Sequence, residues 1–284
     1  MRRKQLSGAA AAFCLALTGL PAAPQQESRS ILVTLARAAE PGAAPKFEVR
    51  VGNQPAQVLR VYQPEERHPR LALLIDDSAG STLVGNLNEV RRFIESVPAG
   101  SVVLVAYKRG SALQIEQPFT TDLAAAVAAV HVPAQASAGG DLGGSIAELL
   151  EQFPASFPER GQVLYIGEGV SLSGQVHHDP SLNRAIPRIQ QRGVVIWALH
   201  VGSSSGELGH LEQEAYLQRL ASETGGKALA LGLHPPSLQP YLQELRSLLD
   251  RQYLVEFQPP PGTVGKRLIV KLSVGRQQLF HPDR

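Results

Sequence analysis

The segment from Leu71 to Thr82 limits the possible folds more than any other. Leu71-Ala72-Leu73-Leu74-Ile75 is continuously apolar, as expected of a strand buried on both faces of a parallel sheet. It ends abruptly in Asp76-Asp77-Ser78-Ala79-Gly80-Ser81-Thr82, which packs two carboxylates and three hydroxyls into seven residues. Leu83, Leu87, Val90, Ile94 and Val97 then recur at helical spacing until Pro98 stops the helix.

The same alternation continues down the chain. Val102 to Tyr107 reads as a second buried strand, with Leu113 to Pro118 returning beside it as an edge strand. Thr121-Asp122 caps an alanine-rich helix to Val130, Ser137 to Gly144 reads as a loop, and Ile146, Leu149, Leu150 and Phe153 carry the next helix. Val163 to Ile166, Val194 to Leu199 and Lys227 to Leu231 are strand-like, while Asn183 to Gln191, Leu211 to Ser222 and Pro236 to Leu249 are helical. Pro187 is compatible with its helix only if the helix begins close to it. The alternation predicts an α/β fold, a doubly wound and mostly parallel sheet covered on both faces.

Both flanks read differently. Ile31 to Leu35, Phe47 to Val51 and Val58 to Tyr62 are short strands broken by Pro41-Gly42 and Gly52-Asn53, and period-two alternation returns at Tyr253 to Phe257 and Leu268 to Val274. These ends are expected to pair into a small β region. The expected organisation is a leader over 1–23, an N-terminal β segment over 24–66, the α/β domain over 67–250, and a C-terminal β segment over 251–284.

The leader has three parts: the basic start Met1-Arg2-Arg3-Lys4, an apolar run from Ala9 to Leu20, and the small residues Pro21-Ala22-Ala23. That is the layout of a secretory signal peptide, and the run is well short of the roughly 20 residues that span a bilayer. The chain is therefore expected to be exported, to the periplasm or the exterior, with no membrane span once the leader is removed. The single cysteine, Cys14, would leave with it. Disulfides, thiol catalysis and cysteine-bound zinc drop out for the mature chain. A net charge of +2, dispersed Lys and Arg, and 5% aromatic residues argue against a nucleic-acid partner.

Ligands of open α/β sheets bind beyond the carboxyl ends of the strands, where strand order reverses, so the Asp76–Thr82 loop is the natural candidate site. A helix N-cap would use one Asp or Ser, and five such residues are present. Leu73-Leu74-Ile75-Asp76-Asp77-Ser78-Ala79-Gly80-Ser81 resembles the first motif of von Willebrand factor type A domains, Asp-x-Ser-x-Ser after a buried strand. The resemblance continues through Gly139-Gly140-Asp141, Val163 to Gly169, Ala221 to Gly226 and Arg251-Gln252-Tyr253, the last two similar to the secreted bacterial "VWFA-related" subgroup.

What the resemblance implies is a non-enzymatic module that binds a protein or cell-envelope partner through a metal-ion-dependent adhesion site holding Mg²⁺ or a similar hard cation. Asp76 and Ser78 match its first two places, Gly80 stands where the second serine belongs with Ser81 next to it, Asp141 falls near the family's threonine, and Glu168 near its aspartate. The expected rim is thus Asp76, Asp77, Ser78, Ser81, Asp141 and Glu168, with Asp76, Ser78, Asp141 and Glu168 as candidate metal ligands. Three carboxylates around one divalent ion leave the site net negative. That favours either a structural, Ca²⁺-like ion or a site that has lost its metal. Lys108 and Arg109 follow the second strand and either neutralise these acids without metal or form a solvated hairpin tip.

Three other readings are open. A scaffold could act through the β region with a vestigial rim. A histidine cluster could draw on His177, His178, Asp179, His200 and Glu168, although adjacent histidines seldom share one ion. A hydrolase could use Ser78 with His200 or His210, although Asp76 replaces the first glycine of the Gly-x-Ser-x-Gly elbow. Gly139-Gly140 and Gly143-Gly144 lack the lysine of a phosphate-binding loop.

Overall fold

The computed structural model describes residues 28–39, 45–133, 140–154, 160–170, 179–201, 206–232, 236–262, 270–274 and 278–282. The leader with Cys14, Pro41-Gly42, Gly139, the His177-His178 pair and Leu268-Ile269 lie outside them. The elements run β1 (Arg29–Leu35), β2 (Glu48–Val51), β3 (Gln54–Tyr62), β4 (Pro69–Asp76), α1 (Gly80–Ser96), β5 (Val102–Arg109), β6 (Ala112–Thr120), α2 (Leu123–Ala128), α3 (Leu142–Leu150), β7 (Arg160–Gly167), α4 (Pro180–Arg192), β8 (Val195–His200), α5 (Gly206–Glu223), β9 (Ala228–Ala230), α6 (Gln239–Leu249), β10 (Gln252–Gln258), β11 (Val270–Ser273) and β12 (Leu279–Phe280).

The central sheet has the order β6-β5-β4-β7-β8-β9. All its pairings are parallel except the edge pair β5–β6. Numbered within the sheet, this is the 3-2-1-4-5-6 order of a doubly wound fold, whose direction of winding reverses between β4 and β7. Leu71, Leu73 and Ile75 join one core with Leu83, Val90 and Ile94 of α1 and Leu242, Leu245 and Leu249 of α6. Ala72 and Leu74 face the opposite core, with α3, α4 and α5. Every residue from Leu71 to Ile75 is fully buried, which explains why this strand shows no polar alternation.

The second sheet, β11-β2-β3-β10-β1-β12, is antiparallel throughout and built from both chain ends. The α/β fold with a small two-ended β region is thus the architecture expected from sequence. β12 was not foreseen, because two residues carry no readable period. Leu32, Tyr62 and Leu254 of this sheet join the core that contains α6, while Ile31, Val33, Val255 and Phe257 form a separate cluster on its other face.

A buried polar network closes the junction at the amino end of β7. Arg160 is 1% exposed; its guanidinium donates to the carbonyls of Pro64 (2.8 Å) and Arg67 (2.9 Å), to that of Leu249, and to Gln252 Oε1 (3.1–3.2 Å). Gln162 Nε2 donates to the same Gln252 oxygen at 2.7 Å, and Trp197 Nε1 donates to Gln162 Oε1 at 2.6 Å. Burial pulls the Arg160 guanidinium down to about 10. These five donated hydrogen bonds are the compensation a buried cation requires.

Two expectations are corrected. Pro187 lies in the interior of α4 rather than near its start. The helix begins instead at Pro180, set by Asp179, whose carboxylate accepts from Ser181 N and Leu182 N, and it ends at Gly193 in the left-handed region (φ 66°). Burial of Leu182, Ile186 and Ile189 supports this run despite the lost amide donor. Gly143 and Gly144 likewise stand in the first turn of α3, not in a loop, because Asp141 caps that turn.

Candidate functional site

Asp76 is the last residue of β4, at the point where the winding reverses, in register with Lys108 of β5 and adjacent to the end of β7. After it the chain makes one 3-10 turn over Asp77–Ala79 and enters α1 at Gly80. The loop is therefore shorter than its composition suggested, and Ser81 and Thr82 already belong to the helix.

The Asp76 carboxylate is buried and fully engaged. Lys108 Nζ lies 2.8 Å from Oδ2, with the two side chains only 2% and 5% exposed. The Tyr165 hydroxyl donates to the same oxygen at 3.0 Å, and Ser78 N–H donates to Oδ1 at 2.9 Å. Burial, and then the Asp76 charge, hold the Tyr165 phenol well above its ordinary range. The parallel register makes the ion pair unavoidable: two residues at the same level of neighbouring strands sit under 5 Å apart, one acid and one amine. Lys108 is therefore not a solvated hairpin tip.

Ser78 Oγ accepts from Glu168 N–H at 3.2 Å, tying the first loop to the turn after β7. Glu168 is itself buried, 7% exposed. Asp77 is buried, and neither carboxylate oxygen has a hydrogen-bond partner. Burial raises its pKa against the pull of Arg109. Ser81 is exposed on the first turn of α1.

Asp141 is exposed and stands at the third loop, where its carboxylate accepts from Gly144 N at 2.8 Å and from the Ser181 hydroxyl. Burial pushes its pKa up, but these bonds outweigh it and hold the carboxyl below its usual value. Its amide donates to Ser111 Oγ at 3.2 Å, in the β5–β6 turn. Gly140 (φ 103°) touches that turn, where a Cβ would strike the Gly110 carbonyl. The three predicted loops thus meet along one rim, linked through Lys108, Ser111 and Ser78. Asp76, Ser78 and Glu168 form one connected group, and Asp141 belongs to a second group with Ser181 and the β5–β6 turn.

This donor set does not fit a hard divalent cation at Asp76. Mg²⁺ needs near-octahedral oxygens at about 2.0–2.1 Å, and here an ammonium and a phenol already hold Asp76 Oδ2 while the Ser78 amide holds Oδ1. The chemistry for a serine nucleophile is no better matched, since Ser78 Oγ is engaged by the Glu168 amide and His200 stacks on His210 instead.

His200 ends β8 beside Gly167 of β7 and is fully buried. Burial, together with His210, pushes its imidazole down to about 4 despite the Gln213 side chain and the Glu168 backbone. His200, His210 and Glu214 were not grouped from sequence. The signal present was the four-residue spacing of His210 and Glu214, which an amphipathic helix also produces.

The class set by this sheet order and switch-point rim is a doubly wound α/β domain carrying a second, antiparallel sheet. Solved structures similar to it include BatB from Bacteroides thetaiotaomicron (14% identity, 64% of this chain and 98% of that one, TM-score 0.46). Others are a von Willebrand factor type A protein from Catenulispora acidiphila (12%, 90% and 74%, 0.48) and the vWF domain of the type V pili tip protein Mfa5 from Porphyromonas gingivalis (10%, 64% and 94%, 0.49). At these identities the likeness is one of fold alone. No family model matches the sequence, and no curated protein matches it.

Proposed function

We propose that the chain is an exported binding module of von Willebrand type A kind, which engages a protein or cell-envelope partner through the switch-point rim without a metal ion. The observation that carries this reading is the buried Asp76–Lys108 pair, which puts an internal ammonium where a family member would hold its cation. The groups left for a partner are Ser78, Ser81, Asp141 and the half-exposed Arg109, a mixed and nearly neutral surface. Among the described residues no helix is long and apolar enough to cross a membrane.

The test is affinity capture from an envelope extract with the purified chain. Capture is expected to be the same with and without added Mg²⁺ or Ca²⁺, and to be lost in Ser81→Arg/Asp141→Arg. Arg50→Glu, an exposed change on β2 of the small sheet, is expected to leave it intact. Loss with Arg50→Glu and survival of the rim variant would favour the scaffold reading and overturn this one.

A further inference from the structure

We propose that His200, His210 and Glu214 form a site for a zinc-like transition-metal ion at the carboxyl end of β8, separate from the Asp76 group. One nitrogen of each imidazole and one carboxylate oxygen of Glu214 lie within 4.8 Å of one another. His210 and Glu214 are four residues apart on α5, which puts them on one helix face. That face presents them to His200 at the end of the neighbouring strand.

A second observation points to a ligand. His200 is fully buried, yet neither of its ring nitrogens makes a hydrogen bond of normal length and angle, the Gln213 side chain and the Glu168 backbone acting on it only weakly, and His210 Nδ1 is buried in the same condition. A neutral imidazole carries one donor and one acceptor, and leaving such groups unmet in the interior is unfavourable. One ring nitrogen of each histidine lies within 4.8 Å of a Glu214 carboxylate oxygen. A metal ion would satisfy the acceptor lone pairs of both rings and the Glu214 charge together.

The donor chemistry selects the ion. Two imidazoles and a carboxylate suit zinc, cobalt or nickel, whereas Mg²⁺ and Ca²⁺ take all-oxygen sites. Zinc–nitrogen bonds of about 2.0–2.1 Å in a tetrahedron place ligand atoms roughly 3.3 Å apart, so the three donors close by about an ångström or less each. The rings now stack at 4.4 Å between centroids with 23° between planes, and binding would turn one of them out of the stack. His210 and Glu214 are only partly buried, which leaves that motion room. Three protein ligands would leave a fourth position for water or a partner's donor.

The proposal does not depend on the rim reading. It is tested on the chelator-treated, dialysed chain by calorimetric titration with ZnCl₂ and by the visible absorption of added Co²⁺. One ion per chain is expected, with the intense bands of tetrahedral Co²⁺ and a thermal midpoint that rises with zinc concentration. His210→Ala and Glu214→Gln should each weaken zinc binding by more than the roughly 10–100-fold that outer-shell partners are worth. His177→Ala/His178→Ala should leave it unchanged. These two ligand positions carry the test because His200→Ala risks the fold. No saturable one-to-one binding, binding that survives His210→Ala or Glu214→Gln, or binding lost with His177 and His178, would each overturn it.

Discussion

Replacing Lys108 by methionine removes the ammonium while keeping most of its volume, and the consequence follows from the geometry around Asp76. At 2.8 Å and an effective dielectric near 20 the pair's gross attraction is about 6 kcal/mol. Desolvation of two groups 2% and 5% exposed cancels much of that in the intact protein. Removing one partner alone leaves the other charge buried, a change that typically costs 3–5 kcal/mol. Asp76 keeps its bonds from Tyr165 and Ser78, which places Lys108→Met near the lower end, about 3 kcal/mol. At about 2–4 °C per kcal/mol for a chain of this size, the midpoint should fall by about 6–12 °C. Thermal and urea unfolding of Lys108→Met, Asp76→Asn and the double variant give the coupling directly, and the double variant should recover most of the loss. The vacated ammonium position should also let Mg²⁺ or Ca²⁺ raise the midpoint of Lys108→Met while leaving the parent unmoved. A single-variant cost below about 1 kcal/mol, or two costs that simply add, would refute the argument that an internal ammonium stands in for the cation.

Other consequences can be checked alongside. Arg160→Met should cost about 3 kcal/mol or more in urea unfolding, because it strands three carbonyls at the junction and leaves the Gln252 oxygen only its bond from Gln162. Tyr107, Tyr165, Tyr216 and Tyr253 are all raised by burial, Tyr107 to about 12. The unfolded chain loses these protons first above about pH 10, so stability should fall from there upward, and their tyrosinate absorbance should rise together with unfolding rather than before it. Gly140→Ala should destabilise by about 1–3 kcal/mol, since its φ of 103° and the contact with the Gly110 carbonyl both exclude a side chain.

Strand and helix positions were legible because burial leaves a period. Leu71–Ile75 announced a two-faced strand, and Leu83, Leu87, Val90 and Ile94 a helix. The switch-point loop was legible too, since polar residues crowd where an apolar strand stops. Partnerships across the chain were not. Nothing local distinguishes Lys108, which is buried against an acid 32 positions away, from a lysine waving at a hairpin tip. The distinction is made by the parallel register of β4 and β5. Arg160 and Gln252 read as ordinary polar residues at strand ends, and only the meeting of two sheets makes them a junction. His200 drew attention, but Glu214 could not be matched to it before α5 was laid against β8.

Under the proposed function, an ammonium in place of a metal also alters what the rim can recognise. A bound cation keeps an open coordination position and offers it to one incoming carboxylate, so recognition by a metal-bearing rim is directional and vanishes with chelation. Lys108 offers no such position, because its side chain is 2% exposed and turned into Asp76. The affinity of a partner must then come from what lies outside the pair: the hydroxyls of Ser78 and Ser81, the carboxylate of Asp141 and the guanidinium of Arg109. Charges exposed in this way are screened with a Debye length of about 8–10 Å at ordinary ionic strength. Partner capture should therefore weaken as salt is raised from low to physiological concentration, and Arg109→Gln should flatten that dependence. Capture indifferent to salt would point to an apolar contact surface elsewhere and remove the rim from the account.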